Sequence, residues 1–322
     1  MGMLVDGEWQ TRPQPTTGDG DFDRKPSQFR NWVTSDGSAG PSGDGGFKAE
    51  AGRYHLYVSL ACPWANRTLN MRNLKGLQDA IGVSVVHWFM GDEGWNFADG
   101  DGVVADPIHN AKFMHEVYTA ADPHATTKVT VPVLWDRERK TVVSNESSEI
   151  IRMLNSAFDG IGSRGPDYYP EDKRDEIDAI NKPVYEAINN GVYRCGFAST
   201  QSAYDKAADA LFETMADVED RLARSRYLVG DHITEADVRL FPTLIRFDPV
   251  YHIHFKCSRK RLIEYPNLWG YTRELFQIPE FRETINFHHI RHHYFESHES
   301  VNPTRIVAQM PEMDLLAPHG RG

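Results

Sequence analysis

Tyr54-His-Leu-Tyr-Val-Ser-Leu-Ala-Cys-Pro-Trp-Ala-Asn-Arg67 is the stretch that decides the fold. Tyr54 to Val58 is short, aromatic and β-branched, which is the composition of a strand. A turn follows, and Cys62-Pro63 opens a pattern that reads as a helix to about Leu77. Proline fits the first helical turn, where its missing N–H costs nothing, so Cys62 falls at or near the N-cap. Unpaired N–H groups and the positive end of the helix dipole favour a thiolate there, below the free-thiol pKa of about 8.5. A lone cysteine in an arbitrary setting reads as a buried structural residue. Strand, turn, Cys-Pro and helix in succession make Cys62 a candidate nucleophile. Ala65 occupies the place of a second cysteine, and Cys195 and Cys257 lie far off in helical stretches. A mixed disulfide at Cys62 would therefore be resolved by a thiol from solution.

The totals narrow the class. A chain of 322 residues holds one large domain or two ordinary ones. With 40% hydrophobic and 25% charged residues it reads as a soluble globular protein. A net charge of −11 argues against nucleic acid as a general partner, because phosphates call for a basic face. Three cysteines make no disulfide framework and point to a reducing compartment. The opening Met1-Gly-Met-Leu-Val-Asp-Gly-Glu-Trp9 lacks the basic flank and apolar run of a signal peptide. No apolar run reaches the roughly 18 residues of a membrane span. The expectation is a cytoplasmic protein.

Residues 1–52 read as an extended N-terminal arm, rich in Gly, Asp, Pro and Ser, with Phe29, Trp32, Val33 and Phe47 as anchors. Gly40-Pro-Ser-Gly-Asp-Gly-Gly46 lacks the Gly-Lys-Ser/Thr ending of a phosphate loop and reads as a turn. Residues 53–160 then give strand, helix and a second strand at Val83–Phe89, followed by a polar excursion over 90–128. Strand character resumes at Val129–Trp135 and Thr141–Ser144, and a helix opens near Glu146. Pro132 inside the third strand marks an edge or a special turn. This order is that of a thioredoxin-like domain, in which the peptide before the equivalent proline is cis. Gly160–Pro170 is the linker. From 171 to 322 the pattern is helical, over Glu171–Asn190, Ser202–Arg224, Glu235–Pro249 and Tyr265–Phe276. Thr234 and Asp237 form a capping box with Ile233 as its staple.

The fold class expected is thus an α/β thioredoxin-like N-terminal domain followed by an all-α C-terminal domain. Longer stretches carry a resemblance: Ser27-Gln-Phe-Arg-Asn-Trp-Val33, Gly52 through Ala65, Val131-Pro-Val-Leu-Trp-Asp136 and Ser144-Asn-Glu-Ser147. They continue with Asn189-Asn-Gly-Val-Tyr193, Arg246-Phe-Asp-Pro-Val-Tyr-His-Ile-His-Phe-Lys-Cys257, Ser297-His298 and Val301-Asn-Pro303. The chain resembles a cytosolic glutathione transferase, and more closely the xi class, the glutathionyl-hydroquinone reductases. Asn66 departs from the family, which usually has His after Cys-Pro-Trp-Ala, so no His can be relied on there to activate the thiol.

The resemblance implies glutathione as co-substrate, with Glu146 pairing its γ-glutamyl amine and Ser147 its carboxylate. Val131, before Pro132, would bond the cysteinyl unit through its backbone, and Trp95 and Lys128 would reach the glycyl end. Read without the family, Glu146-Ser147 is equally a plain helix cap. Tyr193 and Tyr294 would line the aromatic substrate pocket, with Tyr185 a third candidate, although helical tyrosines are commonly core residues. His288, His289, His292 and His293 contain two i, i+4 pairs but no completing carboxylate or thiol, so a pocket wall or interface is expected and no metal. The implied activity is reduction of glutathionyl-hydroquinones by a homodimer. Two alternatives stand beside it: an omega-like transferase acting as thioltransferase or dehydroascorbate reductase, and a non-catalytic binding module.

Overall fold

The structure, a computed structural model, describes residues 2–11, 16–23 and 26–321. It divides into two compact units. The first comprises Met1–Pro13, Lys25–Asp167 and Thr284–His293, and the second Gln14–Arg24, Tyr168–Glu283 and Tyr294–Gly322. The division at Asp167 falls inside the stretch expected as linker. It also assigns residues 14–24 of the arm to the helical unit and residues 284–293 to the first unit. Neither assignment has a signal in composition, because both follow from long-range packing.

In the first unit, β1 (Gly2–Val5) and β2 (Glu8–Thr11) form an antiparallel hairpin that the sequence reading passed over. Its turn is Asp6-Gly7, both with positive φ, the conformation of a two-residue hairpin turn. The main sheet has β3 (Tyr54–Val58), β4 (Gly82–Val85), β5 (Val133–Asp136) and β6 (Thr141–Ser144) in the order β4-β3-β5-β6. β4 runs parallel to β3; β5 is antiparallel to both β3 and β6, with Leu56 opposite Leu134. Every residue of β3 and β5 is buried, so the sheet is covered on both faces. The helices of this unit are α1 (Pro63–Leu74), α2 (Met114–Ala121) and α3 (Ser147–Ser156).

Two strands are shorter than expected. β4 stops at Val85: Val86 N–H still donates to Val58 O, but His87 N–H already turns to Asn96 O in the excursion. β5 starts only at Val133, since Pro132 has no N–H to donate and Val131–Pro132 is cis. The arm does lie against the sheet. Asn31 N–H donates to Val143 O at 2.9 Å and Asn145 N–H to Phe29 O at 3.2 Å, which covers the open edge of β6.

The second unit holds α4 (Arg174–Pro183), α5 (Gly191–Phe197), α6 (Gln201–Leu222), α7 (Glu235–Leu244), α8 (His252–His254), α9 (Pro266–Gln277) and α10 (Pro279–Arg282). The helix expected over 171–190 passes into a wide π-helical turn at Val184–Asn189 before α5. There Asn189 Nδ2 donates to Thr243 Oγ1 at 2.8 Å. The helix expected over 235–249 ends at Leu244 and is followed by a second π-helical turn, Phe247–Tyr251. At the start of α7 the Asp237 carboxylate accepts the Thr234 N–H at 2.7 Å, as the capping pattern predicted. A last helix, α11 (Phe287–Ser297), contributes residues to both units.

Candidate active site

The turn after β3 is closed by Cys62 N–H donating to Ser59 O at 3.2 Å, and Pro63 takes the first helical position. Cys62 is the N-cap of α1 in extended conformation, and Asn66 N–H makes the first helical bond to its carbonyl at 3.0 Å. The thiol is half-buried and lies 3.5 Å from the Val131 carbonyl oxygen. Val131 thus faces the sulfur with its backbone, immediately before the cis proline. Among the described residues the Val131 N–H has no hydrogen-bond acceptor. A backbone N–H in a buried residue is ordinarily paired, and a ligand carbonyl would pair this one.

The start of α3 is the second part. Glu146 is its N-cap: one carboxylate oxygen accepts Ser148 N–H at 3.1 Å and Ser148 Oγ–H at 2.8 Å, and the other accepts Ser27 Oγ–H at 3.1 Å. The capping role considered for Glu146 is therefore present. It does not exhaust the group, because an ionised carboxylate has about four lone-pair sites. Ser147 is buried, and among the described residues neither its N–H nor its hydroxyl has a partner. A helix N-terminus with a spare N–H and a spare hydroxyl is suited to a carboxylate.

Trp95 is only 8% exposed, and among the described residues its indole N–H has no acceptor. Its ring stacks on His293, centroids 4.6 Å apart, and His293 Nδ1–H donates to Trp88 O at 2.8 Å. His289 Nε2–H donates to Asp101 O at 2.6 Å, and burial pushes its pKa down. This i, i+4 pair of histidines holds the excursion in place. No group of three or more His, Cys, Asp or Glu among the described residues could hold a metal. Lys128 is half-buried and pairs across an antiparallel bridge with Met3. Asn66 is fully buried, its amide donating to Thr284 Oγ1 at 2.7 Å.

In the second unit, Tyr193 and Tyr294 hydroxyls are 2.6 Å apart, and Tyr251 Oη lies 3.0 Å from Tyr294 Oη. Burial and the neighbouring phenols push the Tyr294 pKa well up, which keeps its proton. Tyr251 is the third hydroxyl of this chain, which sequence reasoning missed. Tyr185 sits on the first π-helical turn, 39% exposed. Cys195 and Cys257 are buried neighbours in this unit, and burial pushes the Cys257 thiol far up.

Comparison with known proteins identifies the family. The family model "Glutathione S-transferase, N-terminal domain" matches residues 61–157, and "Glutathione S-transferase, C-terminal domain" matches 201–274. The chain belongs to the glutathione transferase family. Within it, glutathionyl-hydroquinone reductase YqjG of Escherichia coli is 53% identical over 324 residues, covering 100% of this chain and 98% of that protein. Glutathionyl-hydroquinone reductase PcpF of Sphingobium chlorophenolicum is 51% identical, covering 98% of each chain. The omega-like 2 glutathione S-transferase of Schizosaccharomyces pombe is more distant, at 44% over 91% of this chain and 94% of its own. Among solved structures, glutathione-bound YqjG superposes with a TM-score of 0.93 at 51% identity, covering 99% of both chains. The xi-class transferase of Natrialba magadii does so at 0.92 and 48%, covering 100% of this chain and 96% of that one.

For a glutathione transferase, the supporting contacts of the site escaped the sequence reading, as did Tyr251. Ser27 reaches Glu146 from 119 positions away, Tyr118 bonds the backbone before Val131, and His293 backs Trp95. Of these only His293 had a signal, its i, i+4 spacing from His289.

Proposed function

We propose that this protein is a glutathionyl-hydroquinone reductase in which Cys62 is the nucleophile. The observation that carries the reading is the Cys62 thiol at the α1 N-terminus, 3.5 Å from the Val131 carbonyl beside the cis proline. Glutathione lies with its cysteinyl backbone on Val131 and its γ-glutamyl group on Glu146 and Ser147. Its glycyl carboxylate meets the Trp95 indole N–H, with Lys128 adding charge. The unpartnered donors at Val131, Ser147 and Trp95 support this placement.

In the reaction the Cys62 thiolate attacks the glutathione sulfur carried by the sp3 ring carbon beside the carbonyl of the substrate's keto tautomer, whose ring regains aromaticity as the bond breaks. An S–S bond forms and the C–S bond breaks. Its electron pair moves through the ring to the carbonyl oxygen, which takes a proton, and the hydroquinone leaves reduced. Phenols of Tyr193 and Tyr294, and of Tyr185, donate to the substrate oxygens as that charge develops. A second glutathione thiolate then attacks the glutathione sulfur of the mixed disulfide, freeing Cys62 and releasing glutathione disulfide. The net change is one glutathionyl-hydroquinone and one glutathione to one hydroquinone and one glutathione disulfide.

The reading extends to a homodimer in a reducing, cytoplasmic compartment. Three free cysteines support the compartment, and no helix among the described residues is long and apolar enough to cross a membrane. The test is turnover with excess glutathione on three substrates: a glutathionyl-hydroquinone, the mixed disulfide of glutathione with hydroxyethanethiol, and chlorodinitrobenzene. The reductase favours the first. An enzyme that favours the aliphatic disulfide is the omega-like transferase instead.

A further inference from the structure

The excursion between β4 and β5 carries α2, and α2 brings Tyr118 to a fully buried position. Its hydroxyl lies between two separate chain segments. It donates to Thr130 O at 3.0 Å, and it accepts Thr130 N–H at 3.3 Å and Asn145 Nδ2–H at 3.2 Å. A phenol has one hydrogen and two lone pairs, and a carbonyl can only accept; with Thr130 Oγ1 also at 3.3 Å, the hydroxyl's capacity is taken up within the protein. Burial pushes the Tyr118 pKa up, which keeps the proton that the Thr130 carbonyl needs. None of that capacity remains for a substrate.

What the hydroxyl holds is specific. Thr130 directly precedes Val131, and Asn145 directly precedes Glu146 and Ser147. Both backbone polar groups of Thr130 end on this one oxygen, which takes the place of a neighbouring strand at the point where β5 has not yet begun. Asn145 is fixed from its far side, its Oδ1 accepting Phe29 N–H at 3.3 Å and its own N–H bonded to Phe29 O. The Tyr118 ring meets Phe29 edge-on, centroids 5.7 Å apart. The ring therefore serves the core, and the hydroxyl sets the spacing between the two segments.

We propose that Tyr118 is a positioning residue for glutathione: its hydroxyl holds the Val131 backbone and the α3 N-terminus at the separation at which both engage one molecule. The inference rests on the reading that Val131, Glu146 and Ser147 bind glutathione. Tyr118→Phe keeps the ring and removes the clamp, and Ser147→Ala tests the underlying site. With both bonded segments loosened, Tyr118→Phe is expected to raise glutathione KM about five- to twentyfold while kcat at saturation changes less than about twofold. A merely structural tyrosine would lower the melting temperature and leave KM alone. Asn145→Ala, which removes one of the three bonds, should raise KM about two- to fivefold and serves if Tyr118→Phe does not fold. Ser147→Ala raising KM with Tyr118→Phe and Asn145→Ala unchanged overturns this inference alone. No change in KM in any of the three variants overturns the glutathione placement, and this inference falls with it.

Discussion

Trp95→Phe removes one hydrogen-bond donor and little else. Phenylalanine retains a ring for His293 to stack against, and His293 is itself held by its bond to Trp88 O. The indole N–H has no acceptor among the described residues, so the substitution strands no partner in the protein. If that N–H meets the glycyl carboxylate, a hydrogen bond to a charged group is lost, roughly 1.5–3 kcal/mol. At 8% exposure water competes weakly for the site, so glutathione KM should rise about ten- to hundredfold. The assay is steady-state turnover with glutathione as the varied substrate, repeated with glutathione esterified at its glycyl carboxylate. Wild type should discriminate against the ester. The variant, having no donor to lose, should treat ester and acid nearly alike. An unchanged KM, or an ester penalty equal in wild type and variant, would refute the placement of the glycyl end at Trp95.

Three further outcomes are expected. Replacing Cys195 and Cys257 together by Ala should leave turnover within about twofold, because both are buried away from a resolving role and burial pushes the Cys257 thiol far up; accumulation of the mixed disulfide in excess glutathione would assign resolution to one of them. Changing Tyr193 and Tyr294 to Phe removes two donors of about 0.5–1.5 kcal/mol each, so kcat/KM for a glutathionyl-hydroquinone should drop roughly ten- to hundredfold. The aliphatic mixed disulfide should lose far less, and equal losses on both substrates would make the tyrosines structural. His55 is buried, its Nε2 at 2.9 Å from Ser84 Oγ and its Nδ1 accepting from Arg137 at 3.1 Å. Burial, reinforced by the Arg137 charge, pushes its pKa down to about 4. The unfolded chain, with pKa about 6.5, binds a proton first on acidification, so stability is full above that value and falls on the way down to about 4. Between pH 7 and pH 5 wild type should lose about 2 kcal/mol more than His55→Gln in urea unfolding; parallel losses would show that His55 is protonated in the native state.

Local chemistry was legible and long-range support was not. Cys62 at a helix start follows from a strand pattern and one proline, and the Thr234–Asp237 cap from two residues three apart. The Asp6-Gly7 hairpin turn was also written in the sequence, but its strands of four residues each are too short to announce themselves. Val83–Phe89 is apolar beyond the point where pairing stops, because apolar residues continue into a turn as readily as along a strand. The histidines of α11 were visible as a face, but their partners are the carbonyls of Asp101 and Trp88, and every residue has a carbonyl. Tyr118 and Ser27 act across 12 and 119 positions on segments that no periodicity connects to them. Tyr251 was hidden for a similar reason, since which tyrosines share a hydroxyl chain depends on where the π-helical turns place them.

The central claim is that Cys62 takes glutathione from the aromatic ring onto its own sulfur. Its most direct test is a single turnover without free glutathione, with wild type, Cys62→Ser and Cys62→Ala each mixed in excess over a glutathionyl-hydroquinone, quenched in acid and read by intact-protein and peptide mass spectrometry. The account predicts one hydroquinone released per glutathionyl group gained by wild type. It places that group on the Cys62 peptide, removable by added glutathione, and predicts neither product from the folded variants. Hydroquinone release by Cys62→Ala, or an adduct on Cys195 or Cys257, would contradict it.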